Sequence, residues 1–356
     1  MKILHTADIH LKDYGDASWK ALQQLTDIGK REDIGLMLIS GDLFDEGIDA
    51  ENLRPKIRET FSKNGFPIVI LPGNHDIQAF TPGQYFGEDT HIINDVSQPF
   101  EMEDVRICGL PFEEIEGNAL LSKIRSLEPI LTPDKVNILL YHGELLNTFF
   151  SYSRSDLGDE GAGRYMPAKL EYFDGLNIQY VLAGHFHTRF DVLSLSNDGY
   201  FVYPGSPVAI TRRECGRRKV NLFKLGSKPQ DYPLDTPHYH EINLFLDPSD
   251  NIGPLERLGE NIKDIHPQAM VILSIFGYIN GEAISLTEMD LKKEMDTLLK
   301  EKQVDSFDYE VRDIRQILED DLFKTFMAKL QETDNSPEIK LEMRDFLIRA
   351  MVKLKV

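Results

Sequence analysis

Seven side chains of the metal-ligand type, Asp8, His10, Asp42, Asn74, His142, His185 and His187, occur in this chain of 356 residues, and each stands where an apolar run stops. Asp8 and His10 close the run begun by Ile3 and Leu4, Asp42 follows LMLIS, Asn74 follows IVILP, His142 follows NILLY, and the last pair closes QYVLAGHFH. Five apolar runs that end in oxygen and imidazole donors predict strands delivering ligands to one sheet edge. The donors include no thiolate, which disfavours a structural zinc site and suits Mn(II), Fe(II) or Zn(II) in a catalytic pair. Asp42 lies centrally in chain order and has two carboxylate oxygens, so it is the natural bridge. Two divalent ions would clamp the attacking and leaving oxygens of a displacement at phosphorus and would activate a water between them, so no Ser, Cys or Thr nucleophile is required. Their charge exceeds that of Asp8, Asp42 and hydroxide together, which leaves a positive site for a phosphodiester anion.

His75 directly follows Asn74, and neighbours in a tight segment point differently, so it is expected to serve the leaving oxygen as a general acid or hydrogen-bond donor instead of binding metal. Asp45 and Asp76 are expected to orient ligands from behind. The densest basic stretch, Arg212, Arg213, Arg217, Arg218 and Lys219, follows closely after the last ligands and is a candidate lining for a nucleic-acid approach.

The elements that must position these groups follow from spacing. Asp8 to Asp42 is 34 residues and Asp42 to Asn74 is 32, and a strand, crossover helix and next parallel strand need roughly 30 or more. Residues 17–31 and 50–63 supply the crossovers, with Trp19, Leu22, Leu25 and Ile28 at three-residue steps in the first. Parallel strands present their carboxyl ends on one side, where open α/β sheets bind ligands. In an extended segment, positions i and i+2 share a face, so Asp8 with His10, and His185 with His187, are expected to converge. Strands without helices follow near 189–195, 200–204 and 217–225. Residues 226–237 carry three prolines and read as a linker. Beyond it lies a smaller α/β unit over 238–313, and then helices over 314–356. In the last helix Ile339, Met343, Phe346, Leu347, Ala350, Met351 and Leu354 form an apolar stripe, which either packs internally or docks a partner.

A chain of this length exceeds one comfortable core, so two domains are expected. No run approaches the length of a membrane span, and the opening residues lack a signal-peptide pattern, which predicts a cytoplasmic protein with no membrane association. Two cysteines, Cys108 and Cys215, fit a reducing compartment. The net charge of −20 argues against holding nucleic acid by global electrostatics. Residues 241–356 contain 24 acidic and 15 basic groups, so the excess is spread along the chain, and local charge around the ions must decide.

At these residues the chain resembles the calcineurin-like metallophosphoesterase superfamily and, within it, the SbcD-type DNA double-strand-break repair nuclease subunits. The motifs that carry the resemblance are ADIHL at 7–11, GDLFDEG at 41–47, GNHD at 73–76, YHGE at 141–144, GHFH at 184–187 and YPGSPVAITRRECGRRK at 203–219. The resemblance covers about residues 1–225 and implies a two-sheet α/β sandwich with a smaller α/β capping domain and a helical tail. It implies one ion held by Asp8, His10, Asp42 and His187, a second held by Asp42, Asn74, His142 and His185, and His75 as the catalytic histidine. It further implies Mn(II), cleavage of DNA as exonuclease and endonuclease, a homodimer, and an SbcC-type coiled-coil ATPase docking on the helices after the capping domain. Lys12 departs from the family, which usually carries glycine there. The enzymatic alternative is a small-molecule metallophosphoesterase, such as a cyclic-nucleotide phosphodiesterase.

Overall fold

The computed structural model describes residues 1–45, 50–81, 83–146 and 165–355, so Glu46 and Gly47 of the GDLFDEG motif lie outside the described residues. The chain divides into two compact units, Met1–Tyr239 and His240–Val356.

In the first unit, β1 (Lys2–Thr6), α1 (Ala17–Glu32), β2 (Leu36–Ser40), α2 (Ala50–Phe61) and β3 (Ile68–Leu71) form the expected crossover series. It continues through β4 (Thr90–Ile92), β5 (Phe100–Glu101), β6 (Val105–Leu110), α3 (Gly117–Arg125), β7 (Val136–His142), the short pair β8 (Leu145–Leu146) and β9 (Ala168–Lys169), and β10 (Tyr180–Gly184). The unit ends with β11 (Asp191–Ser194), β12 (Tyr200–Tyr203), β13 (Lys219–Lys224) and β14 (Asp231–Pro233). One sheet has the order β14-β13-β1-β2-β3-β4 and the other β11-β12-β10-β7-β6-β5. Strands β1, β2, β3 and β4 run parallel, as do β6, β7, β10 and β12.

The sheets stack because their strands are apolar on both faces, as parallel strands covered on both sides must be. Alternation sorts each strand between two cores. Ile3, Leu36, Leu38, Val69 and Leu71 meet Ile107, Ile138, Leu140 and Leu182 of the other sheet. Leu4, Met37, Ile39 and Ile70 face outward against Trp19, Leu22, Leu25 and Ile28 of α1 and Leu53 and Ile57 of α2. Helix α1 starts where the Asp16 carboxylate accepts the Trp19 N–H at 2.7 Å, a capping bond for an otherwise unsatisfied donor. The strands that end in candidate donors thus belong to two stacked sheets, three in one and two in the other, and not to one edge. The expected single edge is replaced by the matching ends of a sandwich.

Residues 226–237 are not a free linker. Strand β14 pairs antiparallel with β13, placing Tyr232 opposite Val220. Leu234 is buried in the first core, and the Thr236 hydroxyl donates to the Pro207 carbonyl at 2.6 Å. The prolines that read as a linker are tolerated because β14 is an edge strand, where a missing N–H breaks no ladder.

The second unit contains a three-stranded sheet of β15 (His238–Leu246), β16 (Ala269–Ile279) and β17 (Gln303–Asp313), with β16 and β17 parallel. Leu258 and Ile262 of α4 (Pro254–Lys263), with Leu291, Met295 and Leu299 of α6 (Glu288–Leu299), cover Ile242, Leu244, Val271 and Leu273. Between these two helices lies the single turn α5 (Gly281–Ile284), and after β17 come α7 (Arg315–Leu318), α8 (Asp321–Gln331) and α9 (Pro337–Lys355). Ile348 and Met351 of α9 pack with Ile314, Ile317 and Phe323. Of the stripe read from the sequence, Ile339, Met343, Phe346 and Leu354 are exposed. No helix among the described residues is long and apolar enough to cross a membrane.

Candidate metal centre

Six of the seven donors lie in the loops just past strand ends, and His142 is the last residue of β7. Asp8, His10, Asp42 and His185 have φ of 54°, 50°, 52° and 98°, a left-handed region that non-glycine residues enter at a cost of about 1–3 kcal/mol each. Burying one Leu or Ile contributes about 1.5–3 kcal/mol, so the buried runs behind the tips suffice to hold this strain. The β1 and β2 tips are also laced together: Asp8 N–H donates to Gly41 O at 3.0 Å, His10 N–H to Asp42 O at 3.0 Å and Leu11 N–H to Leu43 O at 2.9 Å. Asp8 and His10 therefore converge through two left-handed turns, and not through the strand alternation expected for i and i+2.

Glycines before the ligands make room for them. A Cβ on Gly41 would overlap the His142 ring, and one on Gly73 would overlap the Asp42 carboxylate. Gly41 also has φ of 93°, so the glycine of GDLFD is required on both counts.

All the candidate ligands except the half-buried Asn74 are buried. Asp8, His10 and His187 place donor atoms within 4.8 Å of one another, as do Asp8, Asp42 and His142. His10 Nε2 and His187 Nε2 are 3.3 Å apart. His10 Nδ1 faces Asp45 Oδ1 at 3.1 Å, which keeps the ring proton there and turns the Nε2 lone pair inward. His142 Nδ1 donates to Ser40 O at 2.9 Å, while its Nε2 faces Asn74 Oδ1 at 2.9 Å and Asp42 Oδ2 at 3.2 Å. Asp42 Oδ1 accepts the His75 N–H at 3.0 Å. Asp42 Oδ2 is buried with no well-formed hydrogen bond and lies 3.9 Å from His10 Nε2.

This arrangement fits divalent ions. Donors bound at about 2.0–2.3 Å stand roughly 3–3.5 Å from one another around a cation, which is the spacing of His10 Nε2 from His187 Nε2, 3.3 Å, and of His142 Nε2 from Asp42 Oδ2, 3.2 Å. An unbonded buried carboxylate oxygen costs free energy unless a cation neutralises it, and Asp42 Oδ2 reaches donors of both triads. His185 contributes differently: its N–H donates to Asp8 Oδ1 and Oδ2 at 2.9 and 3.1 Å, and its ring stands 5.5 Å from that of His142. Among the described residues it joins none of the close donor triads.

Electrostatics follow the same geometry. Burial alone would raise the Asp42 pKa, but His142, His10 and His75 outweigh it and hold the carboxyl well below the usual range. Burial raises the Asp8 pKa, against the pull of His187 and His142. His142 is carried up to about 10, because the neighbouring Asp42 and Asp8 carboxylates overcome its burial. A metal ion beside these carboxylates would take the place of a proton on His142, so binding there would be coupled to proton release.

Asp76 is fully buried and accepts N–H groups from Phe44 at 2.8 Å, Leu43 at 3.1 Å and Gly73 at 3.1 Å. It ties the Asp42 turn to the Asn74 turn through the backbone. Burial, and then the Asp42 charge, push its pKa up to about 6. Asp45 is shared between His10 and Lys12, whose Nζ lies 2.9 Å from Oδ2; both lower its pKa against burial. His75 Nε2 lies 4.0 Å from Asp42 Oδ2, and with His10 and Asp45 it forms a third group of donors within 4.8 Å. Lys12, the departure from glycine, therefore sits at the rim of the centre.

The basic stretch is placed differently from its expectation. Arg218 is buried, donating to Ser206 O and Thr188 O at 2.9 Å each and to His187 O, so it supports a ligand loop and presents no surface charge. Arg217 pairs with Asp235 at 2.5 Å and Lys219 with Asp231 at 2.5 Å. Arg212 and Arg213 are exposed. A residue not singled out from the sequence, Glu214, is fully buried: Oε2 accepts from Ser206 Oγ at 3.0 Å and Ile210 N at 2.9 Å, and Oε1 lies 3.7 Å from His187 Nδ1. Burial opposes its ionisation, but His187, the Ile210 N–H and Arg218 hold its pKa down at about 2. Its flanking arginines masked it, since a lone acid in a basic run reads as surface.

The calcineurin-like phosphoesterase family matches residues 1–189. Among curated relatives, the uncharacterized metallophosphoesterase YhaO of Bacillus subtilis (strain 168) is 24% identical over 261 residues, covering 67% of this chain and 60% of that protein. The DNA double-strand break repair protein Mre11 of Saccharolobus solfataricus is 25% identical over 264 residues, covering 70% of this chain and 65% of that protein. The chain thus spans less than two thirds of the length of either relative. Solved structures similar to it include TT1561 of Thermus thermophilus, with TM-score 0.43 and 13% identity over 65% of this chain and 98% of that one. A dimetal phosphatase from Danio rerio gives TM-score 0.40 and 11% identity over 62% of this chain and 91% of that one. With the family match extending over more than half of its length and all seven strand-tip donors inside the matched region, the chain belongs to the calcineurin-like phosphoesterases.

Proposed function

We propose that this metallophosphoesterase is the nuclease subunit of a DNA double-strand-break repair assembly, hydrolysing phosphodiesters with two Mn(II) ions. The observation that carries the reading is the joint presence of a complete donor set and His75, whose Nε2 stands 4.0 Å from the shared Asp42 oxygen without being needed by either principal triad. Asp8, His10, Asp42 and His187 would hold one ion, and Asp42, Asn74, His142 and His185 the other. Bound there, the ions supply Lewis acidity toward the phosphate oxygens and toward water. The protein's own groups do the rest: Asp45 and the Ser40 carbonyl fix imidazole orientation, Asp76 locks the two turns, and His75 offers a proton at Nε2 to the leaving oxygen. The likeness to the DNA double-strand break repair protein of Saccharolobus solfataricus supports DNA as substrate. A second unit of residues 240–356 supports a macromolecular one, because a small diester needs no further domain.

The exposed apolar positions Leu322 of α8 and Ile339, Phe346 and Leu354 of α9 are the proposed docking surface for an SbcC-type coiled-coil ATPase. A homodimer through the first unit and a cytoplasmic location complete the proposal. One observation favours the alternative, a small-molecule phosphodiesterase: the net charge is −20, and Arg217, Arg218 and Lys219 are engaged internally or with acids.

Assaying Mn-dependent hydrolysis of linear duplex, hairpin and single-stranded DNA beside a cyclic nucleotide separates the two. Cleavage of DNA supports the nuclease, and turnover of the cyclic nucleotide alone overturns it. Deleting 338–356 is expected to weaken ATPase binding while sparing metal content; unaltered binding would return α9 to an internal role.

A further inference from the structure

We propose that a cavity on the flank of the first unit, between α1 and the edge strand β14, binds a phosphate monoester of mononucleotide size. The proposal goes beyond the function proposed above and does not depend on it, although a phosphate monoester is what hydrolysis of a phosphodiester leaves.

The cavity has a volume of about 340 Å³, within the roughly 300–1,000 Å³ of ordinary small-molecule sites. Gln24, Ile28 and Arg31 line it from one face of α1, and Arg217, Tyr232 and Asp235 from the segments beside that helix. All belong to the unit Met1–Tyr239, and none is a candidate metal ligand.

Each guanidinium is held along one side. Arg31 Nη2 donates to the Tyr232 hydroxyl at 2.7 Å. Arg217 Nε donates to Leu234 O at 2.9 Å, and its Nη2 to Asp235 Oδ1 at 2.5 Å. Among the described residues, Nε and Nη1 of Arg31 and Nη1 of Arg217 have no hydrogen-bond partner. Both groups are thereby oriented before a ligand arrives, which lowers the ordering cost of binding. Their remaining N–H groups suit the several oxygens of a phosphate.

The neighbouring acids are already engaged. Asp235 pairs with Arg217, and its backbone N–H donates to Gln24 Oε1 at 3.0 Å, which ties the loop to α1. Glu32 pairs with Lys2 at 3.2 Å and accepts from the Tyr232 hydroxyl at 3.4 Å. Arg31, Arg217 and Lys2 set against Asp235 and Glu32 leave one positive charge here, in a chain whose net charge is −20. The Tyr232 ring, Ile28 and Pro233 add apolar wall against which a nucleoside can lie, so the ligand is larger than phosphate itself.

The test is calorimetric titration of adenosine monophosphate into the metal-stripped full chain in the presence of a chelator, so that no bound ion attracts the anion. One site per chain with Kd below about 1 mM is expected, with adenosine and inorganic phosphate each at least about tenfold weaker. Arg31 and Arg217 are exposed, so Arg31→Gln and Arg217→Gln should keep the melting temperature. Each should weaken binding about tenfold or more, the usual worth of a hydrogen bond to a charged group. His75→Ala should leave it unaltered. No saturable binding, an affinity indifferent to both arginine variants, or loss of binding in His75→Ala would overturn the proposal. Inorganic phosphate bound as tightly as the nucleotide would overturn the part given to the apolar wall. An oligonucleotide with a terminal phosphate, compared with the same strand ending in a hydroxyl, separates the two sources of the ligand. Tighter binding of the phosphorylated strand than of the mononucleotide assigns the cavity to a strand end, and weaker binding assigns it to the free nucleotide. Failure to cleave DNA would leave this test untouched.

Discussion

Strands β1, β2, β3, β7 and β10 of the first unit and helix α9 of the second are all apolar sequences, yet they hide their apolar groups differently. The strands bury both faces, Ile3 against the facing sheet and Leu4 against α1 and α2, so only their tips remain for chemistry. Helix α9 buries Ile348 and Met351 while Phe346 is 77% and Leu354 86% exposed. An apolar run bounded by polar donors locates a site. An apolar stripe on a terminal helix marks only a helix, since the covered face is chosen by whatever packs beside it.

Substitutions at the strand tips should have the largest effects. Asp42→Ala should lower phosphodiesterase activity to that of the metal-stripped protein, with Mn content measured on the same sample falling in parallel; full metal content would deny Asp42 its place between the ions. Replacing His75 by Ala is expected to keep the metal and lower the rate of diester cleavage by about 10²–10⁴-fold, the usual worth of a positioned acid or base. Loss of metal in that variant would instead make His75 a ligand, consistent with its third grouping beside His10 and Asp45.

Away from the tips, the two regions should differ in stability. Ile348→Ala, which empties a buried position, is expected to cost about 2–5 kcal/mol in denaturant unfolding of the second unit. In the first unit, His5 is buried, with Nε2 donating to Ser40 Oγ at 3.1 Å while that hydroxyl donates to Leu182 O at 2.8 Å across the sheets. Burial lowers its pKa to about 3 from an ordinary 6.5. The unfolded chain therefore takes up the proton first, so the stabilisation is complete above pH 6.5 and is lost as pH falls toward 3. The slope contributed is at most about 1.4 kcal/mol per pH unit. His5→Gln should flatten it in unfolding curves taken at about pH 4 to 7, between the two pKa values, and an unchanged slope would remove His5 as its source. The smallest effect is expected from Phe346→Ser, within about 0.5 kcal/mol; a large loss would show that α9 buries that face after all.

The positions of the candidate donors were legible because each ends a strand-like run, and the crossover lengths of 34 and 32 residues placed β1, β2 and β3 side by side as expected. The stacking of two sheets was not legible from spacing, since a parallel strand buried on both faces looks alike in one sheet or two. Left-handed turns at Asp8, His10 and Asp42 were hidden because only tertiary hydrogen bonds impose them on non-glycine residues. Glu214 and Arg218 escaped for a related reason: their charges are buried by pairing across a loop, and composition alone assigns a run of arginines to the surface. The prolines of 226–237 misled because an edge strand tolerates them as readily as a linker does.

The most direct measurement is anomalous diffraction from crystals grown with Mn(II). Two peaks per chain are predicted, one within bonding distance of Asp8, His10 and His187, the other within bonding distance of Asn74 and His142, with Asp42 touching both. A single peak, or manganese bound away from these side chains, would contradict the binuclear centre.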